Sequence, residues 1–165
     1  MKWRIILVLT VWCLIALSAT ADDRMEAEKA VDAVLSSLHR AASLADGDLY
    51  FSLFAEGAIF MGTDATERWS VEEFRAFAEP YFSEGRGWTY ATTERHIFVA
   101  GDGATAWFDE MLWNETYGTC RGTGVLVRAE QGWRIAQYNL SIPIPNDVAR
   151  ELTIRIKEFN SAPPD

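Results

Sequence analysis

The stretch from Ala104 to Ile142 constrains the fold more than any other part of the chain. It reads as three long β-strands in succession, over residues 104–115, 118–128 and 132–142. Trp, Phe, Val, Ile and Thr crowd it, and such side chains suit a pleated, half-buried surface. Asn114-Glu115-Thr116-Tyr117-Gly118 and Ala129-Glu130-Gln131-Gly132 carry the turn signals between the strands. An apolar sheet face needs a cover, and the preceding residues supply it as helices.

Side-chain alternation assigns the faces. Arg128 and Arg134 are expected to point to water, because an unpaired arginine is rarely buried. With a period of two, Cys120, Gly122, Gly124 and Leu126 then share the outer face with Arg128, and Thr119, Arg121, Thr123, Val125 and Val127 face inward. In the third strand Trp133, Ile135, Gln137, Asn139 and Ser141 face inward. A hairpin centred near Thr116 opposes positions 111 and 121, so Trp107, Asp109, Met111 and Trp113 join the inner set. A bulge would flip part of this assignment.

The N-terminus has the three parts of a secretory leader. Lys2 and Arg4 provide the positive start, Ile5 to Leu17 an almost unbroken apolar run, and Ala19-Thr20-Ala21 a small-x-small cleavage site. The run is shorter than the roughly 20 residues of a transmembrane helix. The expected organisation is a signal peptide over residues 1–21, one domain over 22–160 and a flexible tail over 161–165. The expected location is periplasmic or secreted, with no membrane association after cleavage. Cleavage removes Lys2 and Arg4 and no acid, leaving 13 basic against 24 acidic residues and a net charge of −11. Such a chain repels phosphate backbones, which argues against nucleic-acid binding. Only Cys120 is left after cleavage, so no internal disulfide forms.

Residues 25–45 repeat small and apolar side chains at three- and four-residue spacing, which predicts a first helix. Asp48 is expected to cap a short second helix over 49–54. A short strand over 58–61 and a loop over 62–66 follow. Ser70 and Glu73 form a capping box for a third helix over 71–82. A long strand is expected over 88–99, the three-strand meander comes next, and a last helix is expected over 148–159. Helices followed by a run of antiparallel strands make an α+β fold. Its expected form is a cone-shaped, curved antiparallel sheet wrapped round the N-terminal helices, with a mouth suited to a small molecule.

Three segments carry a resemblance to a known superfamily. They are Ala45-Asp46-Gly47-Asp48 with Tyr50 to Ala58, Gly62-Thr63-Asp64-Ala65-Thr66-Glu67-Arg68-Trp69, and Gly132-Trp133-Arg134-Ile135-Ala136-Gln137-Tyr138-Asn139-Leu140-Ser141. The chain resembles the SnoaL-like members of the nuclear transport factor 2-like superfamily over nearly all of its length beyond the leader. The resemblance implies a cone-shaped α+β barrel with a deep pocket, often paired as a homodimer through the outer sheet face. The superfamily includes ketosteroid isomerases, polyketide cyclases, dehydratases and domains that only bind or assemble. The isomerase catalytic pattern does not carry over: its base aspartate falls on Gly62 and its tyrosine near Leu38.

The candidate site residues follow from the inward assignment. Asp109 and Asp64 are the candidate acid–base groups. Trp69, Trp107, Arg121, Gln137 and Asn139 are the expected lining of a pocket for a small apolar or amphipathic ligand. Each has a plainer alternative: Asp109 and Arg121 as a buried structural ion pair, Asp64 as the cap of its own turn, and Trp69 as a hydrophobic staple before Ser70. His39 and His96 read as structural histidines. No metal-ligand spacing, phosphate loop or dinucleotide fingerprint occurs, and no cofactor is expected. Three functions stay open: ligand binding without catalysis, a cofactor-free isomerase, lyase or cyclase, and a dimeric assembly module with a filled pocket.

Overall fold

The computed structural model describes the backbone of residues 2–161 and the side chains of residues 22–161. The side chains of the expected leader and residues 162–165 of the expected tail lie outside the described residues. Helix α1 spans Lys2–Ser43. Its small and apolar positions Ala27, Val31, Leu35, Leu38, Ala41 and Ala42 are buried as one stripe. Ala45, in the left-handed region at φ 54°, turns the chain out of the helix, and the Asp46 N–H donates back to the Ala41 carbonyl at 2.9 Å. Helix α2 spans Gly47–Ser52 and is capped by Asp46, not Asp48: the Asp46 carboxylate accepts the Leu49 N–H at 3.0 Å. Among the described residues no helix is long and apolar enough to cross a membrane.

Strands β1 (Phe54–Met61) and β2 (Arg68–Ser70) form a short hairpin. Helix α3 (Val71–Phe82) opens with the expected capping box: Ser70 Oγ accepts the Glu73 N–H at 3.2 Å and the Glu73 carboxylate accepts the Ser70 N–H at 2.8 Å. Strands β3 (Ala91–Val99), β4 (Thr105–Asn114), β5 (Gly118–Ala129) and β6 (Gly132–Ser141) make the meander, and α4 (Asn146–Ser161) is the last described element. The sheet is curved and unclosed, with strand order β2-β1-β6-β5-β4-β3. It is mixed where a wholly antiparallel sheet was expected, because β1 pairs parallel to β6. The chain leaves β1 through β2 and α3, returns at the far edge as β3, and so brings β6 back in the direction of β1. Helices α1, α2 and α3 pack on one face.

The expected facing is inverted over most of the meander. On β4 it is Ala106, Phe108, Glu110 and Leu112 that are buried beneath the helices, and on β5 Cys120, Gly122, Gly124 and Leu126. Trp107 and Trp113 are half-exposed on the other face, with Asp109 and Met111 beside them. On β6 Trp133 and Ile135 face inward as expected. A register shift then opposes Leu126 to Ile135 but Val125 to Gln137, leaving Ala136 as an extra residue. Beyond this bulge Tyr138 is inside and Gln137 is exposed outside. Arg128 misled the parity argument. It is exposed and lies on the buried parity, but one residue from the end of β5, at the open rim. Exposure at a strand end reports depth along the sheet, not face. Cys120 is likewise buried rather than outward, and burial pushes its thiol pKa up.

Gly122 and Gly124 are spaces that neighbouring side chains fill. A Cβ on Gly122 would press on the Tyr138 hydroxyl and on Glu110 Oε1 at 2.8 Å, and one on Gly124 on the Gln137 carbonyl and on Phe108 at 2.8 Å. The carbonyl is backbone and cannot rotate aside. Gly124→Ala is therefore expected to lower stability by about 1–3 kcal/mol. Gly101→Ala, in open space, should cost much less. Urea unfolding of both variants measures the difference.

Candidate functional site

The polar centre of the covered face is Glu110, whose side chain has no exposure. Four hydrogen bonds converge on its carboxylate. Oε1 accepts His39 Nε2–H at 2.8 Å and the Tyr138 hydroxyl at 2.9 Å. Oε2 accepts Arg95 Nε–H at 2.8 Å and Nη2–H at 2.7 Å. The Arg95 guanidinium continues the network: Nη1 donates to Asp32 Oδ1 at 2.7 Å and to Ser36 Oγ at 3.1 Å, and Nη2 to Thr92 Oγ1 at 3.1 Å. Asp32, Ser36 and His39 stand at helical spacing on α1, so one helix face meets Arg95 on β3, Glu110 on β4 and Tyr138 on β6. A buried carboxylate without partners is very costly, and this one has a partner for each lone pair in use.

Burial alone pushes the Glu110 carboxyl pKa up. The hydrogen bond and charge of His39 and the charge and hydrogen bonds of Arg95 outweigh it and hold the group below the ordinary glutamate range. Glu110 is thus an anion near neutrality. Burial and the adjacent Glu110 charge raise Tyr138 well above its ordinary value, so it remains a neutral donor. An ionised acceptor at Oε1 requires the proton on His39 Nε2. Among the described residues no hydrogen bond reaches His39 Nδ1.

Beside His39 lies a cavity of about 20 Å³, lined in part by Tyr50, Trp88, Tyr90 and Tyr138. It admits about one water molecule. The rest of the interior is aromatic: Phe60 stacks on Phe74 at 3.9 Å and on Tyr138 at 5.7 Å, and Tyr50 meets Phe51, Phe54, Phe74, Phe82 and Trp88. Burial leads the causes that push Tyr90 up to about 12, with Cys120, Tyr117 and Glu67 adding to it. A wider cleft of about 980 Å³ lies at the rim, between Asp23–Ala30 of α1 and the β3–β4 and β5–β6 turns. It is a surface cleft bordered by charges of both signs, and its buried members Ala27, Val99 and Trp133 are apolar.

The residues named from the sequence do not all meet: five share the outer sheet face, and Asp64 and Trp69 lie elsewhere. Trp107, Asp109, Arg121, Gln137 and Asn139 stand on the outer sheet face, away from the helices. Trp107 stacks on Phe98 there at 5.7 Å. Among the described residues no ion pair joins Asp109 to Arg121. Asp64 sits in the β1–β2 loop, where Oδ1 accepts the Thr66 hydroxyl at 2.6 Å and the Thr66 N–H at 2.8 Å. Those bonds, the hydroxyl first, hold its pKa below the ordinary value. Trp69 stacks on Phe74 at 5.4 Å and on Phe77 at 4.9 Å, against the start of α3. Sequence reasoning passed over Glu110 and Arg95. The available signal was Glu110 at even spacing between Phe108 and Leu112, opposite the glycines of the next strand.

The sequence profile of the SnoaL-like domain matches residues 31–145, well over half of the chain. The chain belongs to the SnoaL-like domain family. Solved structures share the nuclear transport factor 2-like fold. A protein of unknown function from Pseudomonas putida is 14% identical, with TM-score 0.63, over 75% of this chain and 92% of its own. A Streptomyces avermitilis protein provisionally described as a dehydratase is 15% identical, with TM-score 0.60, over 72% and 96%. A Xanthomonas campestris protein provisionally described as a calcium/calmodulin-dependent protein kinase II association domain is 17% identical, with TM-score 0.53, over 70% and 86%. At such identities the likeness is one of fold. No curated protein matches the chain.

The network makes this SnoaL-like domain acid-sensitive in a defined sense. The folded pKa of Glu110 lies below its ordinary 4.5. Its contribution is therefore complete above that value and is lost as pH falls through the folded pKa. Glu110→Gln is expected to destabilise the domain by about 3 kcal/mol at neutral pH. The gap from wild type should narrow as the solution is acidified below 4.5. Chemical denaturation across pH measures both.

Proposed function

We propose that this SnoaL-like domain is an exported assembly module that pairs with a second copy through its outer sheet face. One observation carries the reading: the conical interior is filled. A ligand site for a drug-sized molecule encloses roughly 300–1,000 Å³, whereas the cavity beside His39, inside the cone, has about 20 Å³, and the cleft of about 980 Å³ is an open groove at the rim. The polar group that could have worked there is neutralised and held by four hydrogen bonds. The adhesive surface lies outside. Phe98, Trp107 and Trp113 are 46%, 48% and 54% exposed on the uncovered face. Aromatic side chains are enriched in the cores of protein interfaces. The fold likeness to the Xanthomonas association domain is in keeping with this use. The leader-like N-terminus, with Lys2 and Arg4, an apolar run and Ala19-Thr20-Ala21, supports export of the assembly to the periplasm or beyond the cell.

A second reading rests on His39. Glu110 holds its Nε2–H, which leaves Nδ1 at the small cavity as a candidate proton acceptor, as in carboxylate-oriented histidine bases. Tyr90 and Trp88, both partly exposed, would have to move to admit a carbonyl substrate. Turnover of a β-hydroxy or enolisable carbonyl compound, abolished by His39→Gln, would establish this reading in place of the first.

Sedimentation equilibrium tests the assembly reading. Wild type is expected to be dimeric, and Trp107→Glu with Trp113→Glu to weaken pairing at least tenfold, about 1.4 kcal/mol, with unchanged thermal stability. A wild type that stays monomeric at every concentration would refute the proposal.

A further inference from the structure

We infer that α4 is an exchanged arm: the C-terminal helix of one copy lies on the outer sheet face of the other. The inference rests on the assembly reading and adds to it the element that closes the contact. Val148, Leu152, Ile156 and Phe159 recur at spacings that make one apolar stripe. No residue of α4 is buried, and Phe159 is 82% exposed. A helix of 16 residues is marginal in water by itself, and most helix stability in proteins comes from packing an amphipathic face. Its stripe therefore needs a partner that its own domain does not supply.

The connection explains why. Residues 142–145 form neither helix nor strand. Pro143 and Pro145 each fix their own φ and hold Ile142 and Ile144 extended. Four extended residues make a stiff spacer of about 12 Å. The spacer carries α4 clear of the sheet from which it emerges.

The second copy is the fitting occupant on three counts. Among the described residues each chain has one uncovered apolar helix and one uncovered aromatic sheet face, so a two-fold pair satisfies both at once by an isologous exchange. The half-exposed aromatics of the sheet and the stripe of α4 together leave on the order of 700 Å² open per chain, close to the roughly 800 Å² per partner of a stable complex. Charge agrees. The chain has a net charge of −9 and repels its copy, yet α4 balances Asp147, Glu151 and Glu158 with Arg150, Arg155 and Lys157. It is a neutral element in an acidic protein and approaches a second copy with little repulsion.

Two measurements test this. The first places the photo-cross-linker benzoylphenylalanine at Phe159 in an equal mixture of isotope-labelled and unlabelled protein. Mixed-isotope products joining α4 to the outer-face residues of β3, β4 or β5 are expected. Products confined to a single chain, or none on the sheet, overturn the arm. The second truncates the purified protein after Pro145. Loss of α4 is expected to weaken dimerisation at least tenfold while the thermal midpoint holds. If the truncated chain pairs as tightly as wild type while the Trp107→Glu, Trp113→Glu variant is monomeric, the arm is wrong and the sheet-face assembly stands. If wild type never pairs, both fall.

Discussion

The structure depends on one buried charge. Glu110 sits at the centre of the covered sheet face with no exposure, and the surrounding sequence answers it. His39 and Tyr138 fill one carboxylate oxygen and Arg95 the other. Gly122 leaves the room that the carboxylate and the tyrosine hydroxyl occupy. Asp32 and Ser36 hold the far side of the guanidinium. Removing Arg95 would strand the Glu110 charge in a low-dielectric interior, so the group acts as one unit. It also sets the position of α1 against three strands, because the hydrogen bonds tolerate little displacement.

Around this charge the interior is closed by aromatic rings. Phe60, Phe74 and Tyr138 stack in the middle, and Tyr50, Phe82 and Trp88 seal the end under α2. Dense packing of this kind leaves little empty volume. A cone that is open in principle is here occupied by its own side chains. The far side of the sheet is open, with Phe98 and Trp107 stacked on it.

Much of the local structure was legible. The capping box of α3, the helical stripe of α1 and the turns of the meander each follow from interactions within a few residues, where sequence and geometry are tied. The resemblance to the SnoaL-like family rested on segments in the loops and on β6, and the family match spans them. The site was not legible in the same way. Arg128 looked like a reporter of the solvent face, and Trp107 and Asp109 looked like pocket residues because the hairpin register carried that assignment across to β4. The identity of one residue thus oriented two strands. The register shift opposite Val125 and Leu126 then changed the facing again halfway along β6.

The sequence by itself determined the α+β class, the family and all the elements except the short strand β2 (Arg68–Ser70), with strand boundaries to within a few residues. These depend on periodicity, caps and turns, which are short-range. Only the tertiary structure decided which side of the sheet the helices cover. Alternation with a period of two separates two faces without naming either as the inside. It also decided that Glu110, rather than its neighbour Asp109, is the buried acid. Its partners come from α1, β3 and β6, up to 71 residues away in the chain, and no local pattern in a single sequence records a contact at that distance.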